Sequence, residues 1–188
     1  QRQPSALSSA ICQFASVDDA VRTSIATIQA AIPVARIEFL DETSIDAVNR
    51  YSGLEHPLAP TLFFEFQGTS DGVIEQAETV RQIAQRHGAS DFEWATREED
   101  REKLWHARHQ AYYALLALRP GAKSFTTDVC VPISRLAECI NETKADLAAC
   151  GLQAPMLGHV GDGNFHVLLL VDPENPTDLS MAKEVNEK

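Results

Sequence analysis

Met156-Leu-Gly-His-Val-Gly-Asp-Gly-Asn-Phe-His-Val-Leu-Leu-Leu-Val171 contains two strand-like runs, Met156–Val160 and Phe165–Val171, on either side of Asp162-Gly163. Asp-Gly at the centre of a two-residue loop is a type I′ hairpin signal, because both central residues need positive φ. With 162 and 163 at the tip, 161 pairs with 164, 160 with 165 and 159 with 166. A direct hairpin joins antiparallel strands, so this stretch decides between sheet types.

Upstream, strand-like and helix-like segments alternate. Ala10–Ala15 reads as a short strand, and Ser16-Val-Asp-Asp19 caps a helix to about Ile32 with Val21, Ile25, Ile28 and Ile32 on one stripe. Val34–Leu40 and Thr61–Gln67 are strands, the second with Leu62, Phe64 and Phe66 on one face. A short helical piece at Ser44–Tyr51 and a Gly/Pro-rich loop separate them. Asp71–His87 is an amphipathic helix, Asp91–Ala95 a strand, and Thr96-Arg-Glu-Glu99 a capping box for a helix to about Leu118. Phe125–Val131 is a strand, and a helix from Pro132 ends at Gly151. Strands flanked by single helices plus a direct hairpin give an α+β fold of ferredoxin-like type, an antiparallel sheet covered by helices on one face. The strand–helix units from Ala10 and from Val34 suggest a degenerate repeat.

The chain has 188 residues and a formal charge of -11. That size suits one domain with a real core. The charge argues against nucleic acid and against anionic membrane surfaces, both of which attract Lys/Arg excess. The longest apolar run, Val167–Val171, is strand-sized, so no transmembrane segment is expected. Cys12, Cys130, Cys139 and Cys150 lack C-x-x-C spacing and read as buried thiols of a reduced compartment. Gln1 opens no signal peptide, and the helix-favouring stretch to Lys188 has no stop, so both ends read as excision points. The acidic balance favours a cytoplasmic setting, peripheral at an inner membrane, with the mitochondrion as the eukaryotic equivalent.

Chemistry concentrates in the hairpin. Cross-strand neighbours share a face with Cβ atoms roughly 4.5–5.5 Å apart. His159 and His166, if paired, can therefore grip one divalent metal, or can half-bury against each other; both readings stay open. Two ligands do not complete a site. Glu65, Glu38 and Asp128 are the strand-borne acids that a two-histidine hydrolase would need. Trp105, Tyr113, Phe125 and Trp94 read as core, and His106 and His109 as helix-surface histidines.

The segment Gly158–His166 resembles the histidine motif in the C-terminal half of the FAD-linked oxidases that include D-lactate, glycolate and D-2-hydroxyglutarate dehydrogenases. Val34-Ala-Arg-Ile-Glu-Phe-Leu-Asp41, Ala59-Pro-Thr-Leu-Phe-Phe-Glu-Phe66, Gly88-Ala-Ser-Asp-Phe92, Leu104-Trp-His-Ala-Arg-His109 and Thr127-Asp-Val-Cys-Val-Pro-Ile-Ser-Arg-Leu136 extend the resemblance, in order, over nearly all of the chain. It implies that residues 1–188 are a C-terminal substrate- and metal-binding domain fragment, with an N-terminal FAD domain and a C-terminal tail lying elsewhere. It implies further that His159 and His166 ligate zinc or manganese, that Arg108 pairs with the substrate carboxylate, and that Tyr112 borders the pocket. Asn164 would face the flavin or substrate. The family's third ligand and general base belong to a Gly-Glu-His-Gly segment that 1–188 does not contain, so no catalytic base is expected in this fragment. Related dicarboxylate enzymes carry Thr at the position of Tyr112 and Lys near Thr126, so the substrate would be a small 2-hydroxy monocarboxylate such as D-lactate. The implied partners are that acid, the FAD domain, and a cytochrome, quinone or electron-transfer protein as acceptor. The competing reading is a stand-alone ferredoxin-like module that binds a metal or carboxylate without catalysis.

Overall fold

The computed structural model describes residues 5–151 and 154–187. Gln1 and Lys188, read above as excision points, lie outside them. The strands are β1 (Ala6–Gln13), β2 (Val34–Leu40), β3 (Thr61–Gly68), β4 (Phe92–Ala95), β5 (Lys123–Thr126), β6 (Val129–Cys130), β7 (Met156–Gly158) and β8 (Asn164–Val171). The helices are α1 (Val17–Gln29), α2 (Glu42–Ser52), α3 (Ser70–Arg86), α4 (Glu98–Ala117), α5 (Leu136–Cys150) and α6 (Pro176–Asn186). The strands form one sheet in the order β4-β1-β3-β2-β7-β8-β5, with β6 also pairing with β8. Every pairing is antiparallel.

This is the expected α+β sheet, and its topology is ferredoxin-like twice over. β1-α1-β2-β3-α3-β4 lies in the spatial order fourth, first, third, second of the split βαβ motif. β5-α5-β7-β8-α6 repeats its first three strands and both helices, and β2 joins β7 to fuse the halves into one sheet. The repeat is therefore a whole half-sheet, not the single strand–helix unit suggested by the sequence.

The helices intrinsic to both halves, α1, α3, α5 and α6, pack on one face. Their core contains Phe39, Leu62, Phe64, Phe66, Phe165, Val167 and Leu169. The expectation of helices on one face holds for this layer and needs one addition. α2, inserted between β2 and β3, and α4, which links the halves, cover the other face over Ile11, Leu40, Phe63, Leu157 and Leu168. Successive residues Leu62, Phe63 and Phe64 are accordingly all buried, as in a sheet wetted on neither side.

Local expectations also shift. β1 runs from Ala6 to Gln13, not from Ala10 to Ala15, because all its residues find partners on β3, from Ala6 opposite Gly68 to Gln13 opposite Thr61. Ser16 caps α1 as expected, accepting from the Asp19 amide at 3.1 Å. The helix stops at Gln29, however, and its buried face is the small-residue set Ala20, Ser24 and Thr27 with Val17, Val21 and Thr23. Ile28 stays 37% exposed. Small residues let α1 sit close to the sheet, and the Thr23 and Thr27 hydroxyls donate to carbonyls one turn back. Thr96 does not cap α4, which begins after Arg97 without a side-chain cap. Tyr113, expected in the core, is 60% exposed. His106 and His109 are on the surface as expected. The four cysteines are free, but only Cys12 is buried: Cys139 and Cys150 are half-buried and Cys130, on the short strand β6, is exposed. Among the described residues no helix is long and apolar enough to cross a membrane.

Candidate metal and carboxylate site

The hairpin that opened the reading is real, but its turn differs. A 3-10 turn, Val160–Asp162, replaces the two-residue loop, and Gly163 follows it in the left-handed region at φ 74°. A type I′ turn needs positive φ at both central residues. Among the described residues the only non-glycine with positive φ is Ala31, so Asp162 does not supply it. The turn is instead held by the Asp162 and Asn164 amides, which donate to the His159 carbonyl at 2.9 and 3.3 Å. The register moves with it: His166 faces Leu157, and Met156 faces Val167. The expected pairing of 159 with 166 is thus corrected.

The histidines still meet. His159 has left strand geometry and turns back, so its ring lies 6.3 Å from that of His166, centroid to centroid, at 89°. Two acceptors orient them. His159 Nδ1 lies 2.7 Å from Glu38 Oε1, and His166 Nδ1 lies 3.1 Å from the Thr127 carbonyl. A carboxylate or carbonyl oxygen only accepts, so each Nδ1 carries the proton and each Nε2 keeps a free lone pair. Metal-binding histidines are commonly prepared in this way.

Strand geometry explains both acceptors. Phe39 faces Gly158 across the β2–β7 pair, which sets Glu38 beside His159. Glu38 shares the face of Leu40, under α4, and its side chain is only 4% exposed. Strand Phe125–Val131 is broken into β5 and β6 at Thr127-Asp128. There the Thr127 hydroxyl takes the Val167 amide at 3.1 Å, the bond a regular ladder would give to a carbonyl. The Thr127 carbonyl is thereby available to His166. Asp128 adds a carboxylate oxygen 3.5 Å from His166 Nδ1.

Arg108 projects from α4 to the same place. Its Nε and Nη2 donate to Glu38 Oε2 at 3.2 and 3.1 Å. Glu38 thus stands between the candidate carboxylate-binding cation and a candidate metal ligand, one oxygen to each. The Nη1/Nη2 edge of the guanidinium remains for a second bidentate partner. Arg36, on the same strand and face as Glu38, is committed elsewhere: it pairs with Glu65 at 2.7 Å and stacks 4.4 Å over Trp105. A recess of about 90 Å³ opens beside His159 between Arg36, Glu38 and Asp162, far below the roughly 300–1,000 Å³ of pockets that enclose drug-sized ligands.

Glu38 therefore joins Arg108 to His159, and His166 lies beside His159. Tyr112 lies farther along α4, 48% exposed, with its hydroxyl 3.4 Å from Ser124 on β5. Asn164 is occupied in the scaffold, where its amide donates to Asp128 Oδ1 at 2.8 Å and to the Val129 carbonyl at 3.2 Å. Among the described residues no group of three His, Cys, Asp or Glu side chains could hold a metal. The histidine pair fits a metal as two prepared ligands of an incomplete set. Glu38 entered the sequence reading solely as a possible hydrolase ligand. Its bridging role depends on which strand lies beside β7, which no local pattern reveals.

Solved structures share the fold. The chain aligns over 98% of its length with 4-ethylphenol oxidase from Gulosibacter chungangensis, covering 44% of that chain at TM-score 0.73 and 19% identity. For p-cresol methylhydroxylase the values are 98%, 42%, 0.68 and 16%. Sequence relatives lie nearer. The protein described as probable D-lactate dehydrogenase, mitochondrial, of Danio rerio is 48% identical over 185 residues, which are 98% of this chain and 37% of that protein. D-lactate dehydrogenase [cytochrome], mitochondrial, of Arabidopsis thaliana is 42% identical, over 94% of this chain and 31% of that protein. Glycolate oxidase subunit GlcD of Bacillus subtilis is 26% identical, over 97% and 39%. The chain thus spans well under half the length of these relatives. Residues 3–188 match the family described as FAD linked oxidases, C-terminal domain, and the chain belongs to that family.

Proposed function

We propose that this chain is the substrate-side domain of an FAD-dependent D-2-hydroxyacid dehydrogenase that converts D-lactate or glycolate to the 2-keto acid. The observation that carries the reading is that Arg108 and His159 share Glu38, with the His166 ring 6.3 Å from that of His159. The likeness to proteins named D-lactate dehydrogenase supports D-lactate as the first substrate to test.

In this reading the outer edge of the Arg108 guanidinium binds the substrate carboxylate through paired, charge-assisted bonds. His159 and His166 would hold a divalent ion, zinc or manganese, through Nε2, with the remaining ligand and the base supplied from outside residues 1–188. Such an ion, when bound, supplies Lewis acidity that makes the substrate 2-hydroxyl easier to deprotonate. FAD, bound by a separate domain, supplies the acceptor for two electrons from the substrate C2–H bond. This chain's own work is to bind and aim the acid: Arg108 fixes the carboxylate, and Glu38 and Thr127 keep both imidazoles turned toward it. Tyr112 borders the approach along α4, and Asn164 ties the turn to Asp128 and Val129 where it would face the flavin or substrate. The electron acceptor would be a cytochrome, quinone or electron-transfer protein. The names of the nearer relatives support the mitochondrial alternative for location.

The test is metal content and D-lactate-dependent dye reduction in the complete enzyme, with His159→Ala and His166→Ala beside the wild type. Joint loss of metal and rate in both variants is expected. Full activity in either would remove the metal-assisted mechanism.

A further inference from the structure

We infer that Glu38 is a positioning residue that sets the tautomer of His159 and the rotation of Arg108 together, coupling metal binding to carboxylate binding. This rests on the functional reading above.

The coupling follows from how the carboxylate is divided. Oε1 takes His159 Nδ1 at 2.7 Å, and Oε2 takes Arg108 Nε and Nη2 at 3.2 and 3.1 Å. The side chain is 4% exposed, against 18% for Arg108 and 50% for His159, so water competes little on the inner side. A buried carboxylate with a charged partner on one oxygen holds it firmly, because releasing that partner would leave an uncompensated buried charge. Neither neighbour can then reorient alone. If the imidazole flips, Oε1 loses its donor, and if the guanidinium rolls, Oε2 loses two.

The arrangement also leaves each partner an edge that Glu38 does not engage. His159 gives its Nδ1 proton to Glu38 and keeps a lone pair on Nε2. Arg108 gives its Nε–Nη2 edge and keeps the Nη1–Nη2 edge. Charge need not be the agent, since what matters is an acceptor on both sides. Glutamine has the same volume but only one acceptor. Its carbonyl would go to the charged guanidinium, and its NH2 would face His159. An NH2 group asks Nδ1 to accept, which moves the ring proton to Nε2 and blocks the metal-binding lone pair.

The experiment uses nitrogen-15 histidine NMR at about pH 8.5, where an ordinary imidazole is neutral, on wild type and Glu38→Gln. Manganese and zinc affinities are measured on the complete enzyme carrying Glu38→Gln, His159→Ala or His166→Ala. The expected wild-type state of His159 is the Nδ1–H tautomer, with Nε2–H favoured in Glu38→Gln. Metal affinity should fall roughly 10–100-fold in that variant, the usual loss when a ligand's supporting partner is removed. KM for D-lactate should rise modestly, because the glutamine carbonyl still holds Arg108 but without the charge-assisted strength of the carboxylate. An Nε2–H tautomer with Glu38 intact overturns the proposal without any variant, so it stays testable should Glu38→Gln fail to fold. Metal retained in both histidine variants removes the underlying functional reading. Metal lost in both, with tautomer and affinity unchanged in Glu38→Gln, removes the role of Glu38 alone.

Discussion

Asp41, three residues beyond Glu38, shows what burial does to a carboxylate without a cation. It caps α2, accepting from the Ser44 amide at 2.8 Å, and its own amide donates to the Met156 carbonyl at 3.0 Å. Burial pushes its acidity up to about pH 6, although the hydrogen bonds to Ser44 pull the other way. The folded state thus holds this proton more tightly than the unfolded chain, where an Asp titrates near about 3.9. The resulting stabilisation is fully present below about pH 4, declines as pH rises through about 6, and is lost above it. Asp41→Asn retains a capping oxygen without the charge. Between pH 4 and 7 the wild type should lose about 2 kcal/mol relative to Asp41→Asn, by the linkage of pKa shift to free energy. Urea unfolding across that range measures it, and parallel pH profiles for the two proteins would refute it.

At the scale of one element, the β7–β8 hairpin depends on a glycine outside its tip. A Cβ at Gly158 would overlap Phe165 Cα and the Asn164 carbonyl, both backbone groups of β8. Backbone cannot swing aside as a side chain can, so Gly158→Ala must push the strands apart. A cost of about 1–3 kcal/mol is expected, as for other overpacked sites, and it falls where His159 and His166 are brought edge to face. The variant should therefore lose metal affinity under conditions where it remains folded by circular dichroism. Wild-type affinity in a folded Gly158→Ala protein would mean that the strands tolerate the separation. Gly163 is constrained as well, because its φ of 74° is the left-handed region that ends the 3-10 turn, with the Val131 backbone close by.

Across the whole molecule, two ferredoxin-like halves share one sheet, and α4 roofs the face that carries the site. Leu115 anchors this helix, fully buried in the core cluster that also holds Ile11, Phe63, Leu157 and Leu168. The Trp105 indole donates to Ser9 Oγ at 2.9 Å and ties the same helix to β1. Leu115→Ala should cost about 2–5 kcal/mol in denaturant unfolding, the range for a buried leucine. Tyr113→Ala, at a surface position on the same helix, should stay within about 0.5 kcal/mol. Equal losses would mean that α4 is held by its tyrosines and not by its buried stripe.

Much of this fold was legible in the chain. Pro33, Gly88 and Gly151 mark ends that the backbone must respect, the alternation in Thr61–Gln67 declares a strand, and Ser16 announces a helix. His159 and His166, on either side of one turn, could be named as a pair without knowing the turn. The turn type was not legible, because Asp-Gly suits both a two-residue loop and the end of a 3-10 turn. Choosing between them depended on Val131 and Phe165 packing against Gly163 and Gly158. Glu38 was likewise an ordinary strand acid until β2 came to lie beside β7 and α4 brought Arg108 to it. Local propensity and periodicity are written in neighbouring residues, whereas strand order and helix placement follow from burying two faces of one sheet. The meeting of Glu38, Arg108 and His159, drawn from three distant segments, was decided by that burial.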